Sequence, residues 1–123
     1  MKKVILTISA IIATTLVAIA GKFDLIEDQI ELKFSTISDA NESYTIDEVD
    51  VDSFNGAPII KLEIEGFWGD AGWSHFDKTK YNEYATKLAN FVREQLNTKQ
   101  KVKIMLVLDR TIGKKLLLEE GAF

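Results

Sequence analysis

Residues 44–65, YTIDEVDVDSFNGAPIIKLEIE, predict a β-hairpin around the pair Asn55-Gly56. Both members of this pair tolerate the positive φ that a tight two-residue turn requires. On either side of the turn, apolar and charged side chains alternate, which is typical of strands with one buried face. The alternation changes parity near Asp47-Glu48, where we expect a β-bulge. Pro58, the only proline, follows the turn and fits the start of the second strand, where no backbone donor is needed.

The segments next to the hairpin predict a strand on one side and a helix on the other. Upstream, alternation over residues 29–37 predicts a first strand, after a short lead-in at residues 22–28. Downstream, apolar side chains recur every three or four positions over about residues 78–97, which predicts an amphipathic helix. Ser74 or Asp77 is expected to cap it. The apolar stripe consists of Tyr81, Tyr84, Ala85, Leu88, Phe91, Val92 and Leu96.

The C-terminal third predicts two more strands. Residues 102–108 are apolar on both parities, so we expect a central strand with both faces covered, and residues 114–119 predict the last strand. The resulting order, β-β-β-α-β-β, predicts an α+β fold. In it, a small antiparallel or mixed sheet carries one amphipathic helix packed on one face.

The first twenty residues have a different character from the rest. Lys2 and Lys3 precede the uncharged run of residues 4–20, which ends in Ala18-Ile19-Ala20. A basic start, an apolar stretch and small residues at its end form the layout of a secretory signal peptide. We therefore predict a leader at residues 1–20 and a single extracytoplasmic domain at residues 21–123. Two alternatives are an uncleaved membrane anchor, since the run reaches the short limit for a spanning helix, and a buried core segment.

Composition excludes several chemistries. The 123 residues contain no cysteine and one histidine, with a formal net charge of −4. Disulfides, thiolate metal sites and multi-histidine metal sites are therefore impossible, and no cofactor is predicted. The acidic balance argues against nucleic acid as a partner. Exported domains without cysteine are typical of Gram-positive bacteria, so we expect a secreted or envelope-associated bacterial protein.

The aromatic segment at residues 67–76, FWGDAGWSHF, is the strongest candidate site. Loops rich in glycine and aromatic residues often carry binding function, because exposed rings anchor protein interfaces or stack on sugars. The predicted ligand contacts are Trp68, Trp73, His75 and Tyr81. The competing interpretation is that the tryptophans fill the core of a small domain.

Other polar clusters give weaker signals. His75 with Asp70 or Asp77 is the only arrangement from which a hydrolase could be built. The acidic run at residues 47–52 departs from a calcium loop, and we read it as a charged strand face that prevents edge pairing. Glu63 and Glu65 are interpreted as solvated surface. The basic residues that gather in the C-terminal third are Lys99, Lys101, Lys103, Arg110, Lys114 and Lys115, and they are a weaker candidate for binding an anionic surface.

Together these observations predict a small exported domain without catalysis that binds a protein or a cell-envelope ligand. One alternative is a small hydrolase centred on His75. The other is a membrane-anchored structural protein of the envelope, which would contact the membrane only through an uncleaved N-terminal segment. The sequence makes no prediction of oligomeric state.

Overall fold

The computed structural model describes the backbone of residues 8–123 and the side chains of residues 21–123. Residues 1–7 of the predicted leader lie outside the described residues, as do the side chains of residues 8–20. The leader and its alternative as an anchor therefore stay predictions. Among the helices of the described part, none is long and apolar enough to cross a membrane.

Five strands form one mixed sheet, and two α-helices accompany it. In chain order the elements are α1 (Ile8–Lys33), β1 (Thr36–Ser38), β2 (Ser43–Phe54), β3 (Ala57–Gly66), α2 (Lys78–Leu96), β4 (Lys103–Arg110) and β5 (Leu116–Ala122). The strands lie side by side in their sequence order. β3 and β4 are parallel, because α2 carries the chain back between them, and every other neighbouring pair is antiparallel. The fold class is α+β, as predicted.

The central hairpin is confirmed. Asn55 and Gly56 both have positive φ, at 53° and 82°, and Phe54 pairs with Ala57 across the turn. The register of β2 against β3 shifts between Ile46 and Glu48, which is the predicted bulge. Its effect is to place Ile46 and Val49 on the same buried face although they differ in parity.

The predicted first strand is wrong over most of its length. Residues 22–33 continue α1, and only Thr36–Ser38 forms a strand. Ile26 and Ile30, one helical turn apart, are both buried, whereas Leu32 is 80% exposed. A short apolar alternation fits either a helix or a strand. Here the burial of Ile26, one helical turn before Ile30, favours the helix. The observed order is therefore α-β-β-β-α-β-β, with two helices instead of one.

The second helix is confirmed, and its cap is Asp77. The Asp77 carboxylate accepts the backbone N–H of Thr79 at 2.9 Å, while Ser74 lies in a short 3-10 turn upstream. Asn97, in the left-handed conformation, ends the helix. The face that packs on the sheet consists of Tyr81, Ala85, Leu88, Ala89 and Val92, all buried.

The helices pack on one face of the sheet. In β4, Ile104, Leu106 and Leu108 are fully buried, whereas Met105 and Val107 between them are only half-buried. The expectation that both faces of this strand are covered therefore holds for the face of Ile104, Leu106 and Leu108 and only in part for the face of Met105 and Val107. The last strand, predicted at residues 114–119, lies at Leu116–Ala122.

Candidate functional site

The aromatic segment lies at the carboxyl ends of the two parallel strands. β3 ends at Gly66, which is paired with Arg110 at the end of β4, and the loop to α2 begins at Phe67. In sheets with parallel strands, loops at the carboxyl ends commonly form ligand sites, because neighbouring strands deliver two loops to the same place. The predicted site thus stands at a favourable position in the fold.

Half of the segment is core. Trp73 is only 3% exposed; its ring stacks on Phe76 at 4.6 Å and meets Tyr44 and Tyr81 edge-on. Its indole Nε1 donates to Glu119 Oε2 at 2.8 Å, which satisfies the ring's one polar atom. Tyr81 is buried as well, and burial raises the pKa of its hydroxyl. Of the four predicted ligand contacts, Trp73 and Tyr81 therefore face the interior.

Two polar side chains hold the buried half of the segment in place through hydrogen bonds to its backbone carbonyls. Lys78 Nζ donates to the carbonyls of Trp73 and Phe76 at 2.7 and 3.1 Å and lies 5.0 Å from the Trp73 ring. Tyr44 Oη donates to the carbonyl of Ala71 at 2.8 Å. The 3-10 turn is thereby held to both α2 and β2, so the loop has a fixed base.

The first half of the segment faces solvent and lies beside a second loop, the one that follows β4. Phe67 and Trp68 are 61% and 66% exposed, and Ile112, after β4, is 59% exposed. Ile112 N donates to the carbonyl of Phe67 at 2.9 Å, and Thr111 N donates to that of Gly66 at 3.0 Å. We call Phe67, Trp68 and Ile112 the apolar patch. The three residues lie on loops whose backbones are bonded to each other, and exposed apolar residues on adjoining loops can form an interaction site.

Arg110 ties the two loops of the patch together. Its Nη1 donates to the carbonyl of Gly69 at 3.2 Å, and its Nε donates to that of Lys114 at 2.7 Å. Gly69 has a φ of 65°, a conformation that favours glycine. A shallow cavity of about 320 Å³ lies beside Trp68 and is lined by residues 68–72. The patch is consequently held in place before any ligand arrives, which lowers the entropic cost of binding.

The two carboxylates that could act with His75 bond to backbone N–H groups instead. Asp70 accepts the backbone N–H groups of Gly72 and Ser74 at 3.0 and 2.9 Å, and these bonds lower the pKa of its carboxyl. Asp77 caps α2. The exposed imidazole of His75 has no hydrogen-bond partner among the residues whose side chains are described. Among the residues whose side chains are described, no hydrogen bond joins His75 to Asp70 or Asp77.

The remaining polar clusters are placed as follows. Glu63 is buried at 3% exposure and lies 3.1 Å from Lys115 and 3.8 Å from Lys61, whereas Glu65 is exposed. The interpretation as solvated surface is therefore wrong for Glu63 and confirmed for Glu65. Lys103 pairs with Glu120 at 2.7 Å, so part of the C-terminal basic cluster is neutralised by partners within the sheet. Over residues 21–123, no group of three or more acidic or histidine side chains is placed to hold a metal ion.

Sequence reasoning missed Ile112 and Arg110 as members of the site. They follow Phe67 by more than forty positions, and only the parallel pairing of β3 with β4 brings them beside it. One signal was available: Ile112 is a large apolar residue in the otherwise polar turn Asp109–Gly113.

No protein-family model, curated protein or solved structure matches this chain. Function is therefore inferred from the chain's own geometry.

Proposed function

We propose that this chain is a small exported domain without catalysis that binds a protein or a cell-envelope ligand through the apolar patch. The observation that carries the proposal is the exposure of Phe67, Trp68 and Ile112 on two adjacent loops. Exposed aromatic anchors are the residues that contribute most to binding interfaces.

The rim of the patch favours a specific contact over general stickiness. The guanidinium of Arg110 and the carboxylate of Asp70 lie on the same loops, and both hold backbone groups in place. An apolar centre with a polar rim is the usual anatomy of a protein-binding surface.

The position of α1 supports a binding role on the side away from the predicted leader. α1 lies antiparallel to β2: Ser35, just after its end, bonds to Ile46, and Glu27 bonds to Val51 further along the strand. The upstream end of α1 therefore points toward the Asn55-Gly56 turn. The patch lies at the opposite end of β3, a distance of about 30 Å for ten residues of strand. A leader or an anchor would leave the patch accessible.

The proposal is tested by retention of a partner on the immobilised full chain. Solubilised envelope and culture-medium fractions of the producing cells are passed over the native chain, Trp68→Ala and Phe54→Ala. Phe54 is a matched control because it is 68% exposed and lies at the hairpin end. We expect Trp68→Ala to reduce the retained partner by about tenfold or more and Phe54→Ala to leave it unchanged. Equal retention by all three proteins would contradict the proposal.

Export is tested separately. N-terminal sequencing of the protein recovered outside the cytoplasm is expected to read from Gly21. A start at Met1 in the membrane fraction would replace the leader with the anchor, and recovery only from the cytoplasm would contradict export.

A further inference from the structure

A second surface, lined by residues other than those of the patch, has its own chemistry. A cleft of about 340 Å³ lies between the edge strand β1 and helix α2. Its lining includes Thr36 and Ser38 of β1, Lys33 at the end of α1, and Lys80 and Lys87 of α2. The cleft therefore joins a sheet edge to a lysine-rich helix side.

The backbone of β1 presents unpaired hydrogen-bonding groups to this cleft. Ser35 O accepts from Ile46 N, and Asp39 N donates to Glu42 O, so the bonded pairs of the ladder fall on odd-numbered residues of β1. In an antiparallel ladder, bonded and non-bonded pairs alternate. The N–H and C=O groups of Thr36 and Ser38 consequently point away from β2. None of these four backbone groups bonds to β2 or to another described residue, so they can pair with an added strand.

The charge of the cleft selects the kind of strand. Three lysines line it against one carboxylate, Glu83, which already lies 3.8 Å from Lys80 Nζ. Lys33 and Lys87 form no ion pair with a side chain that the structure describes, so an incoming segment rich in Asp and Glu would meet two ammonium groups. A basic segment would meet repulsion. Charge complementarity of this kind sets which partner is accepted.

We propose that β1 and α2 form a docking site for an extended acidic segment of another protein, which adds to the sheet as a sixth strand beside β1. Thr36 and Ser38 supply the main-chain hydrogen bonds, and Lys33 and Lys87 contact the acidic side chains. β1 has only three residues, and short edge strands resist indiscriminate pairing. The site is therefore selective, because the backbone bonds alone are too few without the charges.

The test uses a synthetic peptide, acetyl-EVEVEV-amide, added to the full isotope-labelled chain. We expect the amide signals of Thr36 and Ser38 to shift and their hydrogen exchange to slow. Acetyl-KVKVKV-amide should leave them unchanged. A copy of the acidic peptide that is N-methylated at alternate residues cannot donate hydrogen bonds to β1. Its binding should be weaker by about tenfold or more, because main-chain hydrogen bonds to a strand edge supply the affinity.

Matched variants separate the backbone from the charges. Thr36→Pro removes an outward N–H and costs β2 no bond, so it should abolish peptide binding while the chain stays folded. Lys33→Ala with Lys87→Ala should weaken binding by about fivefold, because two exposed charge pairs are lost. Lys99→Ala with Lys101→Ala removes two exposed lysines elsewhere and should have no effect.

Several results would overturn the proposal. One is equal binding of the N-methylated peptide, which would mean that charge alone attracts it. Another is unchanged Thr36 and Ser38 signals at millimolar acidic peptide. A third is a dimer of the native chain, seen by sedimentation, that Thr36→Pro dissolves, since the occupant would then be a second copy. Trp68→Ala should leave peptide binding intact, which keeps this test independent of the apolar patch.

Discussion

The two tryptophans stand five residues apart and belong to different parts of the molecule. Trp73 is 3% exposed and bonded to Glu119, whereas Trp68 is 66% exposed. The difference arises from the hydrogen bonds that hold each half of the segment. Lys78 of α2 and Tyr44 of β2 bond to backbone carbonyls around Trp73 and hold that half against the sheet and the helix. Arg110 bonds to Gly69, next to Trp68, and holds that half beside the loop after β4.

The comparison divides one aromatic cluster into two environments. The buried half supplies large side chains to the core of a small domain, and the exposed half is the surface through which we propose contact with a partner.

Trp73→Ala should be the most destabilising change. It removes a buried ring stacked on Phe76 and leaves the Glu119 carboxylate without its donor, so we expect a loss of about 3–5 kcal/mol in the free energy of unfolding. Denaturant unfolding measures it, and Trp73→Phe, which keeps an aromatic ring, should lose less. A loss below about 1 kcal/mol in Trp73→Ala would show that this half is not core.

Arg110→Ala should act on both loops of the patch. It removes hydrogen bonds to the carbonyls of Gly69 and Lys114, and we expect a loss of about 2 kcal/mol together with weaker partner retention. Lys114→Ala is the control, because its backbone carbonyl, not its side chain, takes part. Unchanged partner retention in Arg110→Ala would mean that binding by the patch does not depend on the hydrogen bonds of Arg110.

Asp77→Ala should cost about 1 kcal/mol, the usual value for a helix cap. Ser74→Ala, at the other position that the sequence offers for the cap, should change stability by less. The comparison is made by thermal unfolding of both variants. The reverse order of effects would place the start of α2 upstream of where it is described.

Trp68→Ala should leave stability within about 0.5 kcal/mol of the native chain, because the side chain is mostly in water already. Its effect should instead appear in partner retention. Unfolding curves recorded beside those of Trp73→Ala give the direct contrast. If Trp68→Ala lowered the free energy of unfolding nearly as much as Trp73→Ala, the division of the segment into an exposed half and a core half would be contradicted.

The smallest effect concerns pH. Hydrogen bonds from Gly72 and Ser74 lower the pKa of Asp70 in the folded state, so its stabilising contribution is present above the unfolded value of 3.8 and is lost as pH falls through the lowered value. The stability gap between the native chain and Asp70→Ala should therefore narrow on acidification through this range. Asp47→Ala, on the exposed side of β2, is the control. A gap that is constant with pH would contradict the assigned bonds.

The sequence predicted the elements whose signals are local. The Asn55-Gly56 turn, the bulge near Asp47 and the helix beginning after Asp77 each depend on neighbouring residues, and each is confirmed. The segment at residues 29–35 was assigned wrongly, because its short alternation fits two periodicities and only packing of Ile26 and Ile30 decides between them.

The candidate site was predicted in composition but not in arrangement. The segment at residues 67–76 was identified from its aromatic content, yet nothing local distinguishes Trp68 from Trp73. Their separation depends on Glu119, Tyr44 and Arg110, which come from three other strands. Contacts between residues so far apart in the chain follow from strand order, and the sequence did not predict that order.

The division of the segment places Trp68 in solvent, available to a partner, and Trp73 in the core. Acrylamide quenching of fluorescence in two single-tryptophan variants tests it most directly. Trp73→Phe leaves only Trp68, and Trp68→Phe leaves only Trp73. We predict strong quenching in Trp73→Phe and protection in Trp68→Phe. Equal quenching of the two, or protection of Trp68, would contradict the account.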